Sequence, residues 1–249
     1  MPPDPRLLQT SLDGLDLSSA LAFVASRYGE SAAFSTSLGL EDQLITHAIF
    51  AGALPIRVFT LDTGRLFPET LETLEATRER YHRSIEVYVP DAASVEKLLT
   101  AKGAFSFRRS IEDRKECCRI RKVEPLSRAL QGARLWITGI RAEQADSRKD
   151  LPTVEWDEGH GLLKWHPLLH WSLVEVEAYL KDHGVPVNAL HARAYPSIGC
   201  QPCTRAVKPG EEARSGRWWW EQAEQKECGL HFKDGKAVRN ANPGEKENP

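Results

Sequence analysis

Ala32-Ala33-Phe34-Ser35-Thr36-Ser37-Leu38-Gly39 runs into Leu40-Glu41-Asp42-Gln43-Leu44-Ile45 and on to Ala51. Its division decides the fold. Ala32 to Ser35 is a short apolar stretch of strand type, Ser35 to Gly39 is turn chemistry, and Glu41 to Ala51 has the apolar spacing of a helix. The same unit recurs downstream. A strand is expected near Ile56–Leu61, a helix opened by Pro68, and a strand near Ile85–Val89. Asp91 opens a further helix, Glu112 to Leu130 reads as one helix with Pro125 as a kink or break, and Leu135–Ile140 is a buried-type strand. Ser172 opens a helix to His183. Upstream, residues 1–31 read as a Pro-rich lead-in and a helix capped by Asp16 or Ser18. Strands alternating with helices imply an α/β fold with a mainly parallel sheet covered on both faces.

The composition agrees with a globular chain. Of 249 residues, 41% are hydrophobic and 27% charged, which excludes a wholly disordered or collagen-like protein. No run of about 18 apolar residues occurs, so no membrane span is expected. The net charge of -2 gives no global reason to expect nucleic-acid binding. The N-terminus lacks the basic start and apolar stretch of a signal peptide, so a cytoplasmic location is expected. One nucleotide-binding domain over 1–205, a C-terminal segment over 206–235 and a disordered tail over 236–249 is the simplest organisation. The oligomeric state is left open, a homo-oligomer included.

Chemistry concentrates in two places. In open α/β sheets, ligands sit beyond the carboxyl ends of the strands. The turn at Ser35, Thr36 and Ser37 offers hydroxyls and helix N–H groups to a phosphate, although Ser and Gly also serve merely to cap helices. No Gly-Lys-Ser/Thr follows, so a Walker A loop is absent. Asp62-Thr63-Gly64 is a second candidate edge, with Asp62 read first as a turn residue. The second place is the cysteines: Cys117, Cys118, Cys200, Cys203 and Cys228. A reducing compartment argues against a disulfide framework, and five is odd. Four ligands plus one reactive thiol is the natural division. Cys200-Gln201-Pro202-Cys203 has ligand spacing. Cys117 and Cys118 project about 100° apart on a helix, awkward for one zinc ion but suited to separate corners of an iron–sulfur cubane. Structural zinc and uncoordinated cysteines remain alternatives on spacing alone.

Seven basic residues lie between Arg108 and Lys122. Most read as a solvated helix face, but Lys122 stands one turn after Cys118 and can reach both a cluster and a neighbouring anion. Cys228 sits in a polar stretch, K-E-C-G-L-H, where Lys226 and His231 favour the thiolate. Arg214 and Arg217, three apart, can grip phosphate or sulfate. Of the three tryptophans that follow, at least one is expected to dock this segment by packing.

Together these stretches resemble the assimilatory adenylyl-sulfate (APS) reductases, relatives of the phosphoadenylyl-sulfate (PAPS) reductases. The matches are F-S-T-S-L-G-L-E-D-Q, L-D-T-G-R-L-F-P-E-T, E-C-C-R-I-R-K-V-E-P-L, W-I-T-G-I-R, G-C-Q-P-C-T-R, G-R-W-W-W-E and K-E-C-G-L-H, spread from about residue 34 to 231. The resemblance implies an adenine nucleotide α-hydrolase-like fold, with a [4Fe–4S] cluster on Cys117, Cys118, Cys200 and Cys203. It implies Cys228 as nucleophile, with Lys122, Arg214, Arg217 and His231 around the phosphosulfate. Ser35, Thr36, Ser37, Leu61 and Gly139 would line the nucleotide pocket, and thioredoxin would supply electrons. The four cluster cysteines favour APS over PAPS. A dual-specificity reductase, an ATP-using tRNA sulfur-transfer ligase and a non-catalytic iron–sulfur or zinc redox sensor are the competing readings. The ligase is disfavoured because the first loop departs from S-G-G-x-D-S.

Overall fold

In the computed structural model, residues 3–145 and 148–221 are described in full, and 232–233 and 236–237 as backbone. Two helices open the chain, α1 (Pro5–Leu12) and α2 (Leu17–Tyr28), where one was expected. Gly14, at φ 76°, allows the break, and Asp16 caps α2 by accepting the Ser19 N–H at 2.8 Å. Then follow β1 (Ala32–Thr36), α3 (Leu40–Ala51), β2 (Arg57–Leu61), α4 (Pro68–Tyr81), β3 (Glu86–Tyr88) and α5 (Ala92–Lys102). The expected helix over 112–130 is divided into α6 (Ile111–Cys118), a π turn (Arg119–Val123) and α7 (Glu124–Ala129). The cause is Pro125. It has no N–H for the Arg121 carbonyl and its ring crowds that carbonyl. The helix widens instead, with the Glu124 N–H donating five residues back to Arg119.

β4 (Leu135–Ile137) is shorter than the expected strand. After it comes a hairpin that the sequence reading missed, β5 (Val154–Asp157) and β6 (Leu162–Trp165). Its strands have four residues each and carry Glu155, Asp157 and Lys164, so no apolar run announces them. α8 (Leu173–Asp182) follows, capped by Ser172 as expected.

The six-stranded sheet has the order β3-β2-β1-β4-β6-β5, parallel except for β5. Alternation along the strands feeds two cores. Ala32, Phe34, Val58, Leu135 and Ile137 face α2, α3 and α8, meeting Leu21, Val24, Ile45, Ile49, Val176 and Leu180. Ala33, Phe59 and Trp136 face the other way, onto Leu126, Ala129 and Leu130. Order reverses between β1 and β4, so the crevice beyond their carboxyl ends is the topological switch point. Near the end of the chain, β7 (Phe232–Lys233) and β8 (Lys236–Ala237) pair antiparallel.

Candidate active site: a four-cysteine cavity beside the switch point

α6 begins at Ser110, whose hydroxyl accepts the Asp113 N–H at 3.1 Å, and ends on the adjacent cysteines. The C-x-x-C stretch makes one tight turn, the Cys203 N–H donating to the Cys200 carbonyl at 2.9 Å. This turn is tied to the loop after β2. The Gln201 N–H donates to the Arg65 carbonyl at 2.8 Å, and Thr63 Oγ1 lies 3.3 Å from Cys200 Sγ. The result is one small cavity lined by Cys117, Cys118, Cys200 and Cys203, together with Arg65, Phe107, Arg114, Arg121 and Lys122. All four cysteines are free thiols. Among the described residues, no three Cys, His, Asp or Glu side chains form a ready-made site for a single ion.

Burial pushes the Cys117 thiol up, opposed by the charges of Arg65 and Arg121. The Cys203 thiol is pushed up to about 12 by burial and by neighbouring Cys200 and Cys117, while Lys122 and Arg217 pull the other way. Four thiolates crowded together repel unless a metal centre lies among them, and a coordinated thiol loses its proton outright. The donor set is soft, all sulfur, and ringed by cations. Arg121 Nε and Arg217 Nε are buried without a partner among the described residues, donors left over for an acceptor not supplied by this protein surface. These are the features that a net-negative iron–sulfur cluster needs, and the residues fit one.

Several cations expected on a solvated face are therefore inside. Arg114 and Arg121 are 1% and 6% exposed, whereas Arg108, Arg109, Lys115 and Arg119 are exposed. Arg121 donates to the Thr63 carbonyl at 2.6 Å. Arg114 Nε donates to both Glu221 carboxylate oxygens at 2.7 and 2.9 Å, and its guanidinium lies 4.7 Å from the Trp218 ring centroid. Spacing held the signal: residues 114 and 121 stand three or four from Cys117 and Cys118, on their side of the helix. Lys122 lines the cavity as expected. Arg217 is buried under the C-x-x-C approach, donating to Ser197 Oγ and the Ile198 carbonyl, each at 3.3 Å. Gly199 makes room for it, since a Cβ there would stand 2.3 Å from Arg217 Nη2. Arg214 is half-buried, one turn earlier, its carbonyl accepting the Arg217 N–H at 3.0 Å. Trp218 is the buried docking tryptophan. Cys228 and His231 lie outside the described residues.

At the switch point, the β1–α3 turn is built by its own side chains. Thr36 Oγ1 accepts the Leu38 N–H at 3.0 Å, and Ser35 Oγ accepts the Trp136 indole N–H at 2.8 Å. The Ser37 N–H and hydroxyl both donate to Asp42 at 2.6 Å. Asp42 went unnoticed in the sequence, where it reads as a first-turn helix acid. It is buried, and burial pushes its carboxyl up to about 6 against the bonds from Ser37. Gly139, beyond β4, faces it: a Cβ there would fall 2.0 Å from Asp42 Oδ1. Ser35, Thr36 and Ser37 thus stand at the end of β1 and Gly139 just past the end of the neighbouring β4, with Asp42 between Ser37 and Gly139. Leu61 ends β2, the next strand over, whose following loop leads to Thr63 and the cysteine cavity. Asp62 accepts the Gly64 N–H at 2.8 Å, the turn role first assigned to it. A second residue missed in the sequence is Arg141, buried and paired with Glu41 at 2.8 Å beside the same crevice.

Comparison with known proteins places this architecture. The phosphoadenosine phosphosulfate reductase domain matches residues 31–206. An adenosine 5'-phosphosulfate reductase of Sinorhizobium fredii is 49% identical over 228 residues, covering 92% of this chain and 90% of the relative. Another, from Allochromatium vinosum, is 51% identical over 205 residues, covering 82% and 80%. A phosphoadenylyl-sulfate reductase structure from Candida auris superposes with a TM-score of 0.68 at 28% identity, over 81% of this chain and 95% of that one. The chain belongs to the phosphoadenosine phosphosulfate reductase family.

Proposed function

We propose that this oxidoreductase reduces adenylyl sulfate to sulfite and AMP in sulfate assimilation. The observation that carries the reading is the single cavity of four cysteines and Lys122 next to the β1–β4 crevice. The names of the relatives support the substrate. The nucleotide lies in the crevice, against Ser35, Thr36, Ser37, Leu61 and Gly139. Its phosphosulfate extends toward Lys122, Arg214, Arg217 and His231. The Cys228 thiolate attacks the sulfur, the bond from sulfur to the phosphate oxygen breaks, and AMP leaves with that electron pair. Cys228 then carries an S-sulfonate, so one difficult reduction becomes two exchange steps. A dithiol protein of thioredoxin type attacks Cys228 Sγ and sulfite departs. The second donor thiol closes a disulfide, and the two electrons come from that pair. Lys122 and the arginines neutralise charge on the leaving phosphate and the sulfonate.

Cys117, Cys118, Cys200 and Cys203 hold a [4Fe–4S] cluster, which when bound supplies a fixed negative charge that orders the surrounding cations. The site of action in this reading is the cytoplasm, a reducing compartment that suits the free thiols of the four described cysteines. The test is Cys228→Ser given sulfur-labelled adenylyl sulfate. The variant is expected to keep its iron and bind nucleotide but form no labelled protein adduct. Turnover retained by Cys228→Ser overturns the nucleophile. Turnover of adenylyl sulfate against its 3'-phosphorylated form, measured side by side, settles substrate preference.

A further inference from the structure

Arg114 belongs to two structures at once. Arg114 lines the cysteine cavity, yet its Nε–H is shared between the two Glu221 carboxylate oxygens, at 2.7 and 2.9 Å, across 107 positions of sequence. Both side chains are almost wholly out of water, 1% and 6% exposed. The pair is clamped from the side by Trp218, whose ring lies 4.7 Å from the guanidinium and which is itself buried. Trp218 holds a left-handed φ of 41°, costly for a bulky residue and retained only where the surroundings dictate it. The Trp218 N–H donates to the Cys203 carbonyl at 3.1 Å, and the Glu221 N–H to the Trp218 carbonyl at 2.8 Å. Glu221 is thus fixed two ways to the rim of the cavity: by its carboxylate to Arg114, and by its backbone through Trp218 to Cys203. Cys228 follows seven residues later. A chain of that length spans at most about 25 Å, so the fixed point bounds where the thiol can go.

We infer that Glu221 is a positioning residue for the reaction: held by Arg114, it sets the departure point of the chain that carries Cys228, at the edge of the cysteine cavity. The inference rests on Cys228 being the nucleophile. A surface ion pair would be worth little, but a buried one that loses a partner strands the other charge. The pair therefore acts as a single locked setting. Effective concentration of a nucleophile depends steeply on such placement, and a misplacement of about 1 Å costs roughly 10²-fold in rate. The pair stands at the cysteine cavity rather than on the β1–α3 turn, so binding of the nucleotide and chemistry at Cys228 are expected to separate.

The experiment compares wild type, Glu221→Gln, Glu221→Asp and Cys228→Ser as iron-loaded protein. It measures iron content, equilibrium binding of adenylyl sulfate and the single-turnover rate of adduct formation on Cys228. Glu221→Gln is expected to keep iron and bind nucleotide within about twofold of wild type, while the adduct forms roughly 10²-fold more slowly. Glu221→Asp, which keeps the charge on a shorter stem, recovers part of the rate. An adduct rate in Glu221→Gln equal to wild type overturns the inference. So does loss of iron in step with the rate in both Glu221 variants, because the pair would then support the cavity rather than place the thiol. If Cys228→Ser still forms the adduct, the nucleophile assignment itself fails, and that result is separate from either outcome at Glu221.

Discussion

Asp42 is a carboxylate kept from water beside the carboxyl ends of β1 and β4. Its carboxyl is pushed up to about 6 because burial outweighs the two bonds from Ser37. Below about pH 3.8 it is protonated in folded and unfolded chains alike. Between there and about 6 the folded chain keeps a proton that the unfolded chain releases, so stability falls as pH rises. Above about 6 the penalty is complete, on the order of 2–3 kcal/mol. Asp42→Asn should therefore raise the unfolding free energy at pH 8 by on the order of 2 kcal/mol and change it little at pH 4, as read from urea titrations at the two pH values. The amide oxygen still accepts from Ser37, so the turn survives the change. Side-chain types and spacing were enough to nominate Cys117, Cys118, Cys200, Cys203 and Lys122, and the fold gathers them around one cavity. Asp42 and Arg141 were invisible because their importance comes from burial between β1 and β4, contacts that join residues a hundred positions apart.

The helical stretch from α6 through the π turn to α7 decides how the cations face the cysteines. A π turn advances the side chains by a smaller angle per residue than an α-helix, so Arg121 and Lys122 are swung relative to Cys117 and Cys118. Pro125 enforces the swing by withholding a hydrogen bond from the Arg121 carbonyl. Pro125→Ala supplies that N–H and lets the segment wind as ordinary α-helix. The melting temperature should hold or rise while turnover falls by about 10²-fold, the usual cost of misplacing one charge-stabilising donor. Circular dichroism melts and steady-state rates on the same samples check both halves. Elements with strong end signals were legible: Asp16, Ser172 and Pro68 each open the helix expected of them. The β5–β6 hairpin was not, because its strands are short and carry charges whose partners come from the fold, as with Lys164 and Glu155 at 3.2 Å and Asp157 with His160 at 3.1 Å. Pro125 could be read as a disturbance, but its outcome, a wider turn rather than a break, depended on the packing of Leu126 and Ala129 against the sheet.

At the scale of the whole molecule, the sheet order puts the β1–β4 switch point, where the nucleotide is proposed to lie, and the cysteine cavity at the same end of the strands. Arg65, Arg114, Arg121 and Lys122 are gathered there around the four cysteines. Anaerobic chelation of the proposed cluster should leave these cations facing one another. A drop in melting temperature of roughly 5 °C or more is expected, the shift that about 2 kcal/mol produces in a chain of this size. Added sulfate should recover part of it. Iron analysis alongside calorimetry checks this, and an unchanged melting temperature after complete iron loss would contradict the ligand assignment. The loop after β2 serves both neighbours: Thr63 and Arg65 fasten the C-x-x-C turn and Arg121, while Leu61 and Asp62 prolong a strand that borders the crevice. With the proposed cluster bound there, an oxidant that strips it would loosen the grip on substrate in the same event. A cell under oxygen stress would be left with an inert polypeptide, not one that sequesters scarce activated sulfate without consuming it.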